Sequence, residues 1–156
     1  MNKSLAFGLA VLLLAVSQLT SQTGQSPQSQ PCVAVISDPL PGSPVEERGP
    51  VSGTAKVPSG GHLWILAHKK LLSGAWWPQA NGEVPVDAKG TFELEVVYGI
   101  PDDKGDFEVT AVIVSDATSK SLDRWVDTAP GRQYPPTRFP PTIEGCVPVK
   151  VTVVKR

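Results

Sequence analysis

Five groups of residues have types and spacings that could do chemistry: two histidines, one serine in a glycine turn, an acidic cluster, a pair of adjacent tryptophans and two cysteines. His62 and His68 are the only histidines. On one extended strand a six-residue gap is roughly 20 Å. They cannot share an ion or a substrate atom, so they read as surface or strand-end residues. Ser73 lies in Leu71-Leu72-Ser73-Gly74-Ala75 with no partner base at a recognisable spacing. GxSxG, HExxH, P-loop and GxGxxG patterns are missing from the sequence, so no catalytic residue and no cofactor is expected. Asp102, Asp103, Asp106 and Glu108 supply the hard oxygens that calcium takes. Lys104 interrupts them and the spacing of a calcium loop is not met, so a solvated turn is expected and no metal site.

Trp76 and Trp77 are the more informative pair. Neighbouring residues on a strand point to opposite faces, so one indole can enter a core while the other stays wet. Pro78 and Asn81-Gly82 place a turn just after them. An indole beside Gln79 and Asn81 suits stacking on sugar rings or anchoring a protein partner. Trp76, Trp77, Gln79 and Asn81 are therefore the candidate binding residues. The competing reading is that both indoles cover core edges near Trp64 and Trp125.

Cys32 and Cys146 flank most of the chain, and two cysteines in an exported protein allow one intramolecular pairing. Two free thiols, or a bridge to another chain, are the alternatives. Two Cys without a nearby His do not make a tetrahedral metal set. Export is read from the first residues. Lys3 supplies a positive start, and Leu5 to Val16 is apolar apart from Gly8. Twelve helical residues span about 18 Å, too short for a bilayer core of about 30 Å but right for a signal peptide. Ala15 and Ser17 fit a cleavage site before Gln18. Residues 1–17 are thus expected to be a signal peptide, with no membrane span after cleavage. Residues 18–31, rich in Gln, Ser and Thr, are expected to be a flexible linker. Periplasm and extracellular space remain open alternatives.

The elements that must position these groups are short strands. The 156 residues suit one domain. Gly 14 and Pro 16 make the chain turn-rich, below the roughly 25–30% that marks disorder. Lys+Arg 14 against Asp+Glu 15 leaves a net charge of −1, which argues against nucleic acid as a partner. From Cys32 onward apolar residues recur with period two: Val51 to Val57, Phe92 to Tyr98, Phe107 to Ile113 and Val147 to Val153. His62 to His68 is apolar on both faces and reads as a central strand, and Cys32 to Ile36 as the first. Turns at Pro58 to Gly61, Asn81-Gly82, Lys89-Gly90 and Ile100 to Asp106 divide six to eight strands into an antiparallel β-sandwich. One short helix is expected, capped by Asp116, presenting Leu122, Trp125 and Val126 for about two turns and ending before Pro130. The proline-rich stretch from Gly131 to Gly145 reads as extended connection.

The succession VSGTAKV, HLWILAH, GAWWPQ, GTFELEVVYG, DFEVTAVIVS, LDRW and VPVKVTVVKR resembles a bacterial exported immunoglobulin-like β-sandwich module. The resemblance covers Pro39 to Arg156. Leu63 to Leu66, the Trp77-Pro78-Gln79 turn and Gly90-Thr91-Phe92 are its most specific marks. The cysteine pair departs from the antibody pattern, in which the bridge joins two inner strands around a buried Trp. The resemblance implies a non-enzymatic module over residues 32–156 and names no ligand. The expected function is a monomeric binding or structural module with an unknown protein or glycan partner. The alternatives are a carbohydrate-binding module using an exposed Trp, and an inhibitor of an extracellular hydrolase presenting the segment Arg132 to Pro141.

Overall fold

The computed structural model of the chain describes residues 32–128 and 135–156; the expected signal peptide and linker lie outside the described residues. The elements in chain order are β1 (Val33–Asp38), β2 (Pro44–Val45), β3 (Arg48–Lys56), β4 (Gly61–Lys69), β5 (Trp77–Pro78), β6 (Thr91–Val97), β7 (Gly105–Ser115), α1 (Asp116–Thr128) and β8 (Val149–Lys155). One sheet has three strands in the order β1-β3-β6, the other five in the order β2-β8-β7-β4-β5. Pairings are antiparallel except β2 with β8, which run parallel. Among the described residues the result is a mostly antiparallel, sandwich-like pair of sheets with one helix.

Period-two alternation builds the inner core. Val51 and Ala55 of β3, Phe92 and Val96 of β6, and Val151 and Val153 of β8 turn inward together. Gly53 is paired with Phe92 across β3 and β6. A Cβ at Gly53 would lie 2.8 Å from the Phe92 ring and 1.9 Å from the Val35 carbonyl oxygen. Only glycine lets the ring lie over the strand and β1 approach from the other side.

β4 and β7 depart from the half-covered pattern expected for most strands. Leu63, Ile65 and Ala67 of β4, with Phe107, Val109, Ala111 and Ile113 of β7, belong to the core between the sheets. Their intervening neighbours Trp64, Leu66, Val112 and Val114 are also fully buried, in a second core on the outer face with Trp76 and Leu122. Helix α1 covers part of that face, and the Trp64 Nε1–H donates to the buried Ser119 hydroxyl at 2.9 Å. Phe139, beyond the helix, packs against the same cluster. The molecule is therefore three layers deep over β4 and β7.

The helix is longer than the two turns expected, with 13 residues. Leu122 and Val126 both pack on a face that needs cover, which accounts for about one and a half additional turns. Its cap is one residue earlier than the sequence suggests. The Ser115 hydroxyl accepts from the Thr118 amide at 3.4 Å, which puts Asp116 in the first turn.

Cys32 and Cys146 form a disulfide with Cα atoms 5.1 Å apart and a sequence separation of 114. It fastens the residue before β1 to the turn before β8. A loop of that length is worth up to about 4–5 kcal/mol in the chain-entropy model. Replacing either cysteine by Ser should lower the unfolding free energy by about 2–4 kcal/mol in urea denaturation. Non-reducing peptide mapping should recover Cys32 and Cys146 in one linked species, and full thiol labelling of the native protein would refute the bond.

Candidate functional site

The two adjacent indoles part company at the edge of the five-stranded sheet. The backbone of Trp76 bridges Thr137, with Trp76 N to Thr137 O at 2.9 Å and Thr137 N to Trp76 O at 2.8 Å. Its side chain is buried on the outer face. His68 stacks on it at 4.5 Å between ring centres, Phe139 meets it edge-on at 4.9 Å, and the Lys150 ammonium lies 5.1 Å from its centre. Trp77 pairs with Ala67 of β4, is half-buried and lines a groove. Trp76 is thus a core residue, and Trp77 is the indole that borders open space.

The groove holds about 1110 Å³ and runs along the flank where the β6 edge faces the β5 edge. Trp77, Leu72, Ile100, Arg48, Glu95 and Asn81 are among its walls. Leu72 and Ile100 are exposed apolar side chains. Arg48 pairs with Glu95 at 2.9 Å across β3 and β6.

Gln79 fixes the two edges to each other. Its backbone N–H donates to Ile65 O at 2.9 Å, and its side-chain Nε2 donates to Trp77 O at 2.8 Å. Its Oε1 accepts from Val97 N at 2.9 Å, the backbone N–H that β6 directs away from β3. The sequence suggests Gln79 as a ligand contact; its side chain is buried and both ends of its amide are bonded to backbone. Ala80 and Asn81 follow with φ of 63° and 58°. The left-handed region costs an Ala roughly 1–2 kcal/mol and suits Asn better. This strained turn sets Asn81 at the rim of the groove.

A second set of bonds holds the opposite wall. Lys155 continues the inward series Val151 and Val153, and it is buried. Its ammonium donates to Tyr98 O at 2.9 Å and Ile100 O at 2.5 Å. The Asp103 carboxylate pairs with Lys69 and accepts from Ile100 N at 3.1 Å. The Lys69 hydrogen bond, then that from Ile100, holds the Asp103 carboxyl below the usual carboxylate range. Burial pushes the Tyr98 phenol up to about 12, and its hydroxyl has no hydrogen-bond partner among the described residues.

The rest of the acidic cluster is spread among lysines. Asp106 lies 4.0 Å from Lys70, Glu108 lies 3.0 Å from Lys150, and Asp102 is exposed. Among the described residues no three His, Cys, Asp or Glu side chains are grouped to hold a metal ion.

The histidines have fixed roles that spacing does not reveal. His68 shares a hydrogen bond of 2.7 Å between Nδ1 and the Ala75 carbonyl, so Nδ1 carries the proton. His62 touches Glu83 through Nδ1 at 2.6 Å and Asp116 through Nε2 at 2.5 Å. Both ring nitrogens face carboxylates, an arrangement that suits the imidazolium, which donates from both. Lys120 completes the cluster, 3.2 Å from Asp116. The contact ties β4, the turn after β5 and the start of α1 together. The partners lie 21 and 54 residues away in sequence, so no local signal could have found them.

No family model matches the chain, and no curated protein matches it. The site is therefore read from its own geometry.

The hydrogen bond His62 donates to Glu83 is the largest cause raising its pKa above 6.5, with Asp116 adding to it against desolvation. His62 and Lys120 in turn hold the Asp116 carboxyl low. A raised histidine pKa contributes stability that is fully present below the unfolded value near 6.5 and is lost as pH rises through the folded value. The stability difference between the native protein and His62→Gln should therefore shrink as pH is raised past that value. NMR titration should place His62 above 6.5, and Glu83→Gln should bring it down. A His62 titrating at or below 6.5 in the native protein would contradict the clamp.

Proposed function

We propose that this chain is an exported, non-catalytic binding module of immunoglobulin-like architecture, and that the groove beside Trp77 is its ligand surface. The sheet order supports the architecture. The order β1-β3-β6 in one sheet, and β8-β7-β4-β5 within the five-stranded other, is compatible with the A-B-E and G-F-C-C′ arrangements of such sandwiches, with β2 added beside β8. Helix α1 and the outer layer are additions to that pattern. Export rests on the positive start, the short apolar run and the small residues at Ala15 and Ser17. The disulfide suits an oxidising compartment. Among the described residues no helix is long and apolar enough to cross a membrane.

The groove is the observation that carries the reading. It joins a half-buried indole on a paired strand to exposed Leu72 and Ile100, on a flank whose two strand edges are cross-tied by Gln79. A pre-organised aromatic wall beside polar rim groups is the usual form of a recognition surface. The ionisable groups around it support binding over catalysis. Lys69, Asp103, Arg48 and Glu95 are engaged in pairs, and His68 is held by Ala75 and stacked under Trp76. The segment proposed as an inhibitor loop begins outside the described residues; its later part is fixed to the sheet through Thr137 and Phe139.

The test is affinity capture by the tagged mature protein from native envelope and culture medium, run beside Trp77→Ala with the fold verified by circular dichroism. The reading expects a saturable ligand that Trp77→Ala loses. Capture that is equally strong with the folded variant would overturn it.

A further inference from the structure

The geometry points to an uncharged polysaccharide as the ligand of the Trp77 groove, an inference that rests on the groove being the ligand surface. The charges on the groove walls come first. Its Arg and Lys side chains each sit beside a carboxylate, Arg48 with Glu95 at 2.9 Å and Lys69 with Asp103. Asp127 and no unpaired Lys or Arg remain among the described lining residues. Among the described lining residues, an anionic ligand such as a nucleic acid or a uronate polymer would meet Arg48 and Lys69 only beside the carboxylates of Glu95, Asp103 and Asp127, which repel it.

A folded protein partner fits less well for a different reason. The centre of a protein interface is depleted of charged residues. Here both walls carry ion pairs, and burying them under an apolar surface would cost their hydration. A polyol solvates such pairs with its own hydroxyls. Arg48 and Glu95 set donors and acceptors side by side, and neighbouring hydroxyls on a sugar ring can bond both.

Trp77 supplies the apolar part. An indole face is negative at its centre, and the axial C–H groups of a pyranose present a weakly positive, apolar face to it. The backbone that carries the ring is fixed by β5 pairing with β4 and by the Gln79 hydrogen bond to the Trp77 carbonyl. Size sets the length of the ligand. About 1110 Å³ exceeds the roughly 300–1,000 Å³ usual for a small-molecule pocket, so the groove suits several linked sugars more than a single one.

The test is native affinity electrophoresis of the disulfide-bonded protein in gels containing single soluble polymers. Uncharged α- and β-linked hexose and pentose polymers form one set, with polygalacturonate as the anionic comparison. At least one uncharged polymer should retard the protein, and the retardation should be insensitive to added salt, since no charge is exchanged. Trp77→Ala should weaken it by at least about tenfold. Arg48→Ala should weaken it several-fold; its ion pair is exposed and contributes little to stability, so this variant keeps the fold. Retardation by polygalacturonate alone, or by no uncharged polymer, would overturn the inference. If a protein is then captured in a Trp77-dependent way, the groove remains the ligand surface and only its ligand class was wrong. If binding is as strong in Trp77→Ala as in the native protein, the groove reading fails as well.

Discussion

β4 and β7 are apolar on both faces, and the rest of the molecule is arranged to cover them. Leu63, Ile65, Val109 and Ala111 face one core, and Trp64, Leu66, Val112 and Val114 the other, all fully buried or nearly so. Each large side chain left in water would cost about 1.5–3 kcal/mol. An ordinary two-sheet sandwich covers one side only. Helix α1 and the segment bearing Phe139 follow from the second demand, and so does the destination of Trp76.

That same demand creates the site. Successive residues on a strand must face opposite ways. Once the outer core takes Trp76, Trp77 is directed to the flank where the sheets part. The flank would otherwise leave backbone groups of β6 without partners, a liability for any sheet edge. Gln79 answers it with a side-chain amide in place of another strand, and the opposite wall is held by Lys155 and Asp103. Under the proposed binding role, little energy would be spent on ordering this wall.

Period-two patterns made the long strands legible, and the two-sided run from His62 to His68 identified the centre of a sheet. The disulfide is legible because two cysteines in a chain expected to be exported allow one intramolecular pairing. The second core was less visible. Val112 and Val114 extend the apolar pattern of β7 to both faces, but alternation in Phe107 to Ile113 drew attention to one face alone. Burial of Lys155 could be read from its phase with Val151 and Val153, against the strong tendency of lysine to stay in water. The partners of His62 and the cross-tie by Gln79 depend on residues far away in sequence and have no local signature. Asn81-Gly82 marks a turn in the sequence, and Asn81 sits in one; its left-handed backbone, with that of Ala80, is seen only in the structure.

The central claim is that a second core divides the tryptophan pair, taking Trp76 and leaving Trp77 to the groove. Equilibrium urea unfolding of Trp76→Ala and Trp77→Ala, side by side with the native protein, tests it most directly. Trp76→Ala should cost about 3–5 kcal/mol, the range for a buried large side chain, and Trp77→Ala less than about half as much. Equal losses, or a larger loss at Trp77, would contradict the account.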